Sequence, residues 1–102
     1  MVKNEILSKF NAIRDYLSSQ PVEKAWLFGS CSRGENTADS DMDILVRYSP
    51  NARISLLTIS RIMCGLSHAT NMKVDLVEEG RLLPFAEASA NHDKILIYER
   101  GN

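Results

Sequence analysis

Asp41 and Asp43 are the first residues in this chain whose type and spacing suggest chemistry. They form an Asp-x-Asp pair at the head of an apolar run, Met42-Asp43-Ile44-Leu45-Val46. Along an extended strand side chains alternate between faces, so both carboxylates point the same way, roughly 6.5 Å apart at their Cα atoms. Two carboxylates that close repel each other. A divalent cation removes that cost, and magnesium takes hard oxygen ligands together with substrate phosphates. Two such ions about 4 Å apart can clamp the attacking and leaving oxygens of an in-line displacement. Gly29-Ser30 lies ahead of the pair, separated from Asp41 by ten residues, and ends another apolar run, Ala25-Trp26-Leu27-Phe28. Glycine permits a tight turn and lets backbone approach a phosphate closely. The following amides, the Ser30 hydroxyl and a helix start there can donate to phosphate oxygens.

Asp75 interrupts a third apolar segment, Val74-Asp75-Leu76-Val77. If this segment is a strand beside the Asp41–Asp43 strand, Asp75 reaches the same cation site or orients an attacking hydroxyl. A carboxylate in a strand centre needs a partner or a metal, because burying it alone is expensive. Arg33 carries a fixed positive charge that can pair with nucleotide phosphates or lock the loop onto Asp39. Each element alone has a plainer reading, as a turn, a capped strand edge or an edge-strand charge. Their conjunction in one short chain favours catalysis. The expected metal set is Asp41, Asp43 and Asp75, and the expected nucleotide-binding set is Gly29, Ser30 and Arg33. His68 and His92 read as surface or capping residues, Trp26 as core, and Glu78-Glu79 as a solvated strand exit.

The elements that must hold these residues follow from periodicity. Ile6, Phe10, Ile13 and Leu17 recur at helical spacing and predict an amphipathic helix over residues 4–18, stopped by Gln20-Pro21. The Ala25–Phe28 run predicts a strand covered on both faces. Ser30 to Gly34 fits one helical turn, and Glu35 to Ser40 is a polar loop. Met42 to Val46 is a second strand. Ser49-Pro50-Asn51 signals a turn. Leu56, Ile59, Ile62, Met63 and Leu66 predict the longest helix, over 52–68. Lys73 to Val77 is a third strand with Val74 and Leu76 on one face. Pro84 suits the first turn of a shorter helix through about Asn91, and Ile95 to Tyr98 is a last strand, with helix continuation as the alternative. The sum is an α/β fold, a small sheet flanked by helices.

Length and composition set outer bounds. At 102 residues the chain has room for one core, so 1–102 is read as a single domain. A hydrophobic content of 44%, a charged content of 25% and a net charge of −1 are those of a globular protein without a basic surface. Nucleic acid is therefore the least favoured partner. No apolar run approaches the roughly 20 residues of a membrane span, and no signal peptide is visible, so a cytoplasmic location is expected. Cys31 and Cys64 show no metal-binding spacing and are read as free thiols, Cys31 as a small buried filler.

The stretch LFGSCSRGENTADSDMDILV resembles the signature of the nucleotidyltransferase superfamily with a DNA polymerase β-like core. It is most similar to the minimal nucleotidyltransferases, the MNT group, which includes relatives of kanamycin nucleotidyltransferase. Gly29, Ser30, Ser32, Arg33, Gly34, Ser40, Asp41, Asp43 and Ile44 to Val46 match the group's pattern, and Asp75 in KVDLV matches its third Asp. Ser32 stands where alanine is common. The resemblance implies a polymerase β-like fold with a mixed sheet, ATP as substrate, two magnesium ions, and transfer of a nucleotidyl group to a hydroxyl with pyrophosphate leaving. It implies that Asp41 and Asp43 bind both ions, that Asp75 binds the catalytic ion, and that Gly29 and Ser30 hold the terminal phosphates. A chain this short has no second domain for an acceptor, so the acceptor is expected on another polypeptide or a second copy. Minimal members resemble antitoxins that add AMP to a tyrosine of a HEPN-domain toxin, which makes a HEPN-type protein the expected partner. Two alternatives stand beside this: a non-catalytic module that neutralises a toxin by contact, and a small-molecule nucleotidyltransferase of the aminoglycoside type acting as a homodimer.

Overall fold

The structure, a computed structural model, describes residues 1–81 and 92–101. Helices α1 (Asn4–Leu7) and α2 (Phe10–Leu17) lead into strand β1 (Val22–Phe28), the short helix α3 (Ser30–Arg33) and strand β2 (Met42–Tyr48). Helix α4 (Leu56–Thr70), strand β3 (Val74–Glu78) and strand β4 (Ile95–Glu99) complete the described elements. The sheet order is β3-β2-β1-β4. β1 runs antiparallel to β2 and to β4, while β2 and β3 are parallel. The sheet is therefore mixed, and the last strand is a strand. The helix expected from Pro84 to Asn91 lies outside the described residues.

Alternation along the strands divides the sheet into two faces. Leu27, Ile44, Val46, Val74 and Ile97 pack on one face with Ile6, Ile13, Leu17, Ile62 and Leu66 of the helices. All ten are at most 2% exposed. The intervening residues point the other way, where Trp26 and Leu45 make a smaller buried cluster with Phe28 and Val77 against it. Trp26 is thus buried as expected, but apart from the main core. The Arg47 guanidinium and the Lys94 ammonium lie over its ring, at 5.5 Å and 4.7 Å from the centroid.

Two helix expectations need correction. The single helix over 4–18 is broken at Ser8-Lys9. The Ser8 hydroxyl donates to the Glu5 carbonyl, and the Lys9 ammonium reaches across to the Thr70 carbonyl at the end of α4. The long helix starts at Leu56, not at 52, because Ser55 caps it: the Ser55 and Thr58 hydroxyls each accept from the other's backbone amide, a capping box. Its buried stripe is Thr58, Ile62, Leu66 and Thr70, spaced by four. Leu56, expected on the apolar face, is 85% exposed. A tertiary contact invisible in the sequence brings α2 and α4 together. The Tyr16 ring occupies the space where a Cβ at position 65 would lie, so Gly65 is what admits it. The Tyr16 hydroxyl donates to the Arg61 carbonyl at 3.1 Å.

These burial differences set opposite expectations for two residues of one helix. Ile62→Ala removes a fully buried side chain and is expected to cost about 2–5 kcal/mol in urea unfolding. Leu56→Ala is expected to stay within about 0.5 kcal/mol of the parent.

Candidate functional site

The site forms at the end of the sheet where β1 leaves and β2 and β3 enter. Strand pairing places Phe28 opposite Asp43, and Asp43 beside Asp75. These three residues form one row across β1, β2 and β3, on the face that also carries Trp26 and Leu45. Asp41 lies two residues before Asp43, just outside β2. The structure thus brings Asp41, Asp43 and Asp75 together at one sheet end. The condition set on Asp75, that its strand lie beside the second, is met.

Electrostatics follow from this placement. Partial burial is the main cause that raises the Asp43 carboxyl above its ordinary value, followed by the negative charges of Asp75 and Asp41, with Arg33 acting in the opposite sense. The burial cost anticipated for Asp75 falls on Asp43 instead. Asp75 is exposed, because β3 is the edge strand. The Lys73 ammonium is 3.9 Å from Asp41 Oδ2.

The Gly29 turn is next to Asp43. Gly29 has φ 74° and ψ −155°, a conformation nearly reserved for glycine. A Cβ there would meet Asp43 Oδ2 at 2.5 Å. Glycine is therefore needed twice, for the turn and for the approach of the turn to Asp43. α3 follows directly. The Ser32 hydroxyl donates to the Gly29 carbonyl at 2.7 Å, and Gly34, at φ 73°, ends the turn. Cys31 is fully buried, with its thiol 3.6 Å from the Asp41 carbonyl. That burial raises the thiol above its ordinary value, and Asp43 adds to the effect. The expectation of a buried filler holds, and the filler joins the turn to the backbone of the carboxylate pair.

Arg33 behaves differently from the sequence expectation. Its guanidinium donates to Glu35 and to Asp93, both at 2.8 Å, and is not paired with Asp39. Gly34 turns the chain so that Glu35, rather than the exposed Asp39, comes back onto Arg33. Asp93 lies just before β4, so Arg33 ties the turn to that strand. His68 and His92 are exposed, as expected.

Of the residues that hold the ten-residue spacer, Ser40 alone was singled out from sequence. The Lys3 ammonium donates to the Asn36 carbonyl at 2.5 Å, and the buried Asn36 amide donates to Glu5. The Ser40 hydroxyl accepts from the Thr37 amide at 2.8 Å. Glu5 and Lys3 gave no local signal, since their partners are more than thirty positions away.

The donor set suits magnesium. Asp43 is half-buried among like charges, and a cation bound there would offset both its burial and the repulsion. Among the described residues no three His, Cys, Asp or Glu side chains are close enough together to hold a metal ion by themselves. Magnesium is usually held by one or two carboxylates, with substrate phosphates and waters completing its octahedron. The Asp43 carboxylate, set against the Gly29 turn, fits that habit.

A mixed sheet with a glycine turn on one strand and paired carboxylates on the next defines a nucleotidyl-transferring class of site. The sequence model of the family described as polymerase beta, nucleotidyltransferase matches residues 11–102. The chain belongs to this family and is a nucleotidyltransferase. It is 32% identical over 94 residues to the "Putative protein adenylyltransferase MJ1379" of Methanocaldococcus jannaschii, which covers 91% of this chain and 92% of that protein. A solved "putative minimal nucleotidyltransferase" superposes with a TM-score of 0.76 at 26% identity, over 93% of this chain and 95% of that one. A chain of the tri-AMPylated Shewanella oneidensis HEPN toxin in complex with MNT antitoxin superposes with a TM-score of 0.66, over 94% and 73% of the two chains. At 19% identity that last likeness shows the fold alone.

Two outcomes follow from the site geometry. Gly29→Ala is expected to push Asp43 aside and strain the turn, lowering nucleotidyl transfer about a hundredfold in a radiolabelled-nucleotide assay while leaving a folded circular-dichroism spectrum. Asp43 sets a pH dependence. A carboxyl raised in the folded state destabilises the metal-free fold once ionised, so its contribution to stability falls as pH rises from the ordinary carboxylate range through the folded-state value. Asp43→Asn is therefore expected to raise the metal-free unfolding temperature at pH 7, with the gain shrinking as pH falls toward 4.

Proposed function

We propose that this chain transfers AMP from ATP to a tyrosine hydroxyl of a partner protein, as the antitoxin of a pair whose toxin is a HEPN-type protein in the same cytoplasm. The observation that carries the reading is the side-by-side register of Asp43 and Asp75 next to the Gly29 turn. The name of the Methanocaldococcus relative and the AMPylated HEPN complex support it.

In this reading Asp41, Asp43 and Asp75 hold magnesium, which supplies positive charge to the phosphate oxygens when bound. Gly29 and Ser30 take the terminal phosphates through backbone amides and hydroxyl. Arg33 at the end of α3 is paired with Glu35 and Asp93, holds β4 to the turn, and meets a nucleotide phosphate only by exchanging one of those pairs. Asp75, exposed on the edge strand, accepts the proton of the incoming hydroxyl. The new bond joins the acceptor oxygen to the α-phosphorus, and the bond from that phosphorus to pyrophosphate breaks. Little covalent work falls to the protein, so rate comes from positioning and charge.

Incubation with α-labelled ATP, magnesium and the product of the neighbouring gene tests the proposal. Label is expected on a tyrosine of that protein, and Asp41→Ala/Asp43→Ala is expected to lower transfer by about a thousandfold, the scale of losing preorganised charge stabilisation. Equal labelling by the double variant would overturn the proposal, as would transfer to an aminoglycoside with none to protein.

A further inference from the structure

The parallel pairing of β2 and β3 extends one step beyond the carboxylate row. The Met42 amide donates to the Lys73 carbonyl at 2.9 Å, and Met42 is in register with Val74. Lys73 thus stands beside Asp41 as Asp75 stands beside Asp43. With two-residue spacing along each strand, the four side chains make a two-by-two array on one face: Asp41 and Lys73 at the rim, Asp43 and Asp75 behind them. Lys73 is its one cation.

The order across the sheet end gives the array a direction. The Gly29–Ser30 turn leaves β1 on one side of Asp43, and Asp75 with Lys73 lies on the other, along edge strand β3. An in-line displacement needs the entering and leaving oxygens on opposite sides of the phosphorus. With the terminal phosphates at the turn, the acceptor must enter over β3. Asp75 and Lys73 are both exposed there, and the Lys73 side chain is 77% exposed. Its pairing with Asp41 is long, at 3.9 Å, and solvent-screened, so the ammonium gives it up readily.

We propose that Lys73 is an acceptor-binding residue: its ammonium meets the incoming phenol oxygen and stabilises the negative charge that develops as the proton leaves for Asp75, the oxygen bonds to the α-phosphorus and pyrophosphate departs. The inference rests on the proposed transfer of AMP to a protein tyrosine. It explains why a cation stands on the acceptor side of a cluster otherwise made of carboxylates, and it favours a phenol, whose anion is accessible, over an aliphatic hydroxyl.

The test uses the HEPN-type partner as acceptor, prepared once with tyrosine and once with the more acidic 3-fluorotyrosine. Lys73→Met is expected to cut kcat/KM for the tyrosine acceptor about a hundredfold, to leave KM for ATP unchanged, and to cut transfer to the fluorotyrosine acceptor markedly less. Lys73→Arg is expected to recover most of the loss. Equal losses on both acceptors would overturn the inference, as would no loss, or a raised KM for ATP with kcat preserved. These results leave the proposed function standing. Absence of transfer by the parent protein itself would instead overturn the function, and this inference with it.

Discussion

The structure depends on one strand pairing, β3 laid parallel beside β2. It places Asp75 next to Asp43, and the site rests on that adjacency. The pairing costs something, because it gathers carboxylates at a sheet end and raises the partly buried Asp43 carboxyl. It is held by the opposite face of the same strands, where Ile44, Val46 and Val74 pack against α2 and α4 in the main core. Period-two alternation lets one strand do both tasks. In β2 the even residues Ile44 and Val46 secure the main core, while on the other face Asp43 carries charge next to the buried Leu45.

The Gly29 turn depends on the same division. Gly29 lies hard against Asp43, so the turn and the carboxylate are one rigid piece rather than two motifs near each other. Cys31 joins them from behind through the Asp41 carbonyl. The spacer between them is tied down by Lys3, just before α1, and by Glu5 within it. A loop of polar residues is thereby tied to the N-terminal segment.

Much of this was legible along the chain, and the misses have a common cause. The strands were readable because apolar runs bounded by Gly, Ser and Pro leave little choice. The long helix was readable but shifted, because Leu56 looks apolar by type while Ser55 and Thr58 set the start through a cap. The break at Ser8-Lys9 comes from Lys9 reaching Thr70, sixty-one positions away, a contact no local pattern encodes. Gly65 gave no signal of its use, because only the Tyr16 ring opposite explains it.

For the site, residue type and spacing by themselves determined that Asp41 and Asp43 share a face, that Gly29-Ser30 makes the turn, and that Asp75 is a candidate third carboxylate. These are properties of a strand's two-residue repeat and of glycine's backbone, local to each segment. Tertiary structure alone decided the rest. It put β3 at the edge rather than the centre, which leaves Asp75 and Lys73 exposed and moves the burial cost to Asp43. It turned Arg33 onto Glu35 and Asp93 instead of Asp39. Strand order and long-range ion pairs depend on which surfaces meet when the core closes, and side-chain spacing along one chain carries no record of that choice.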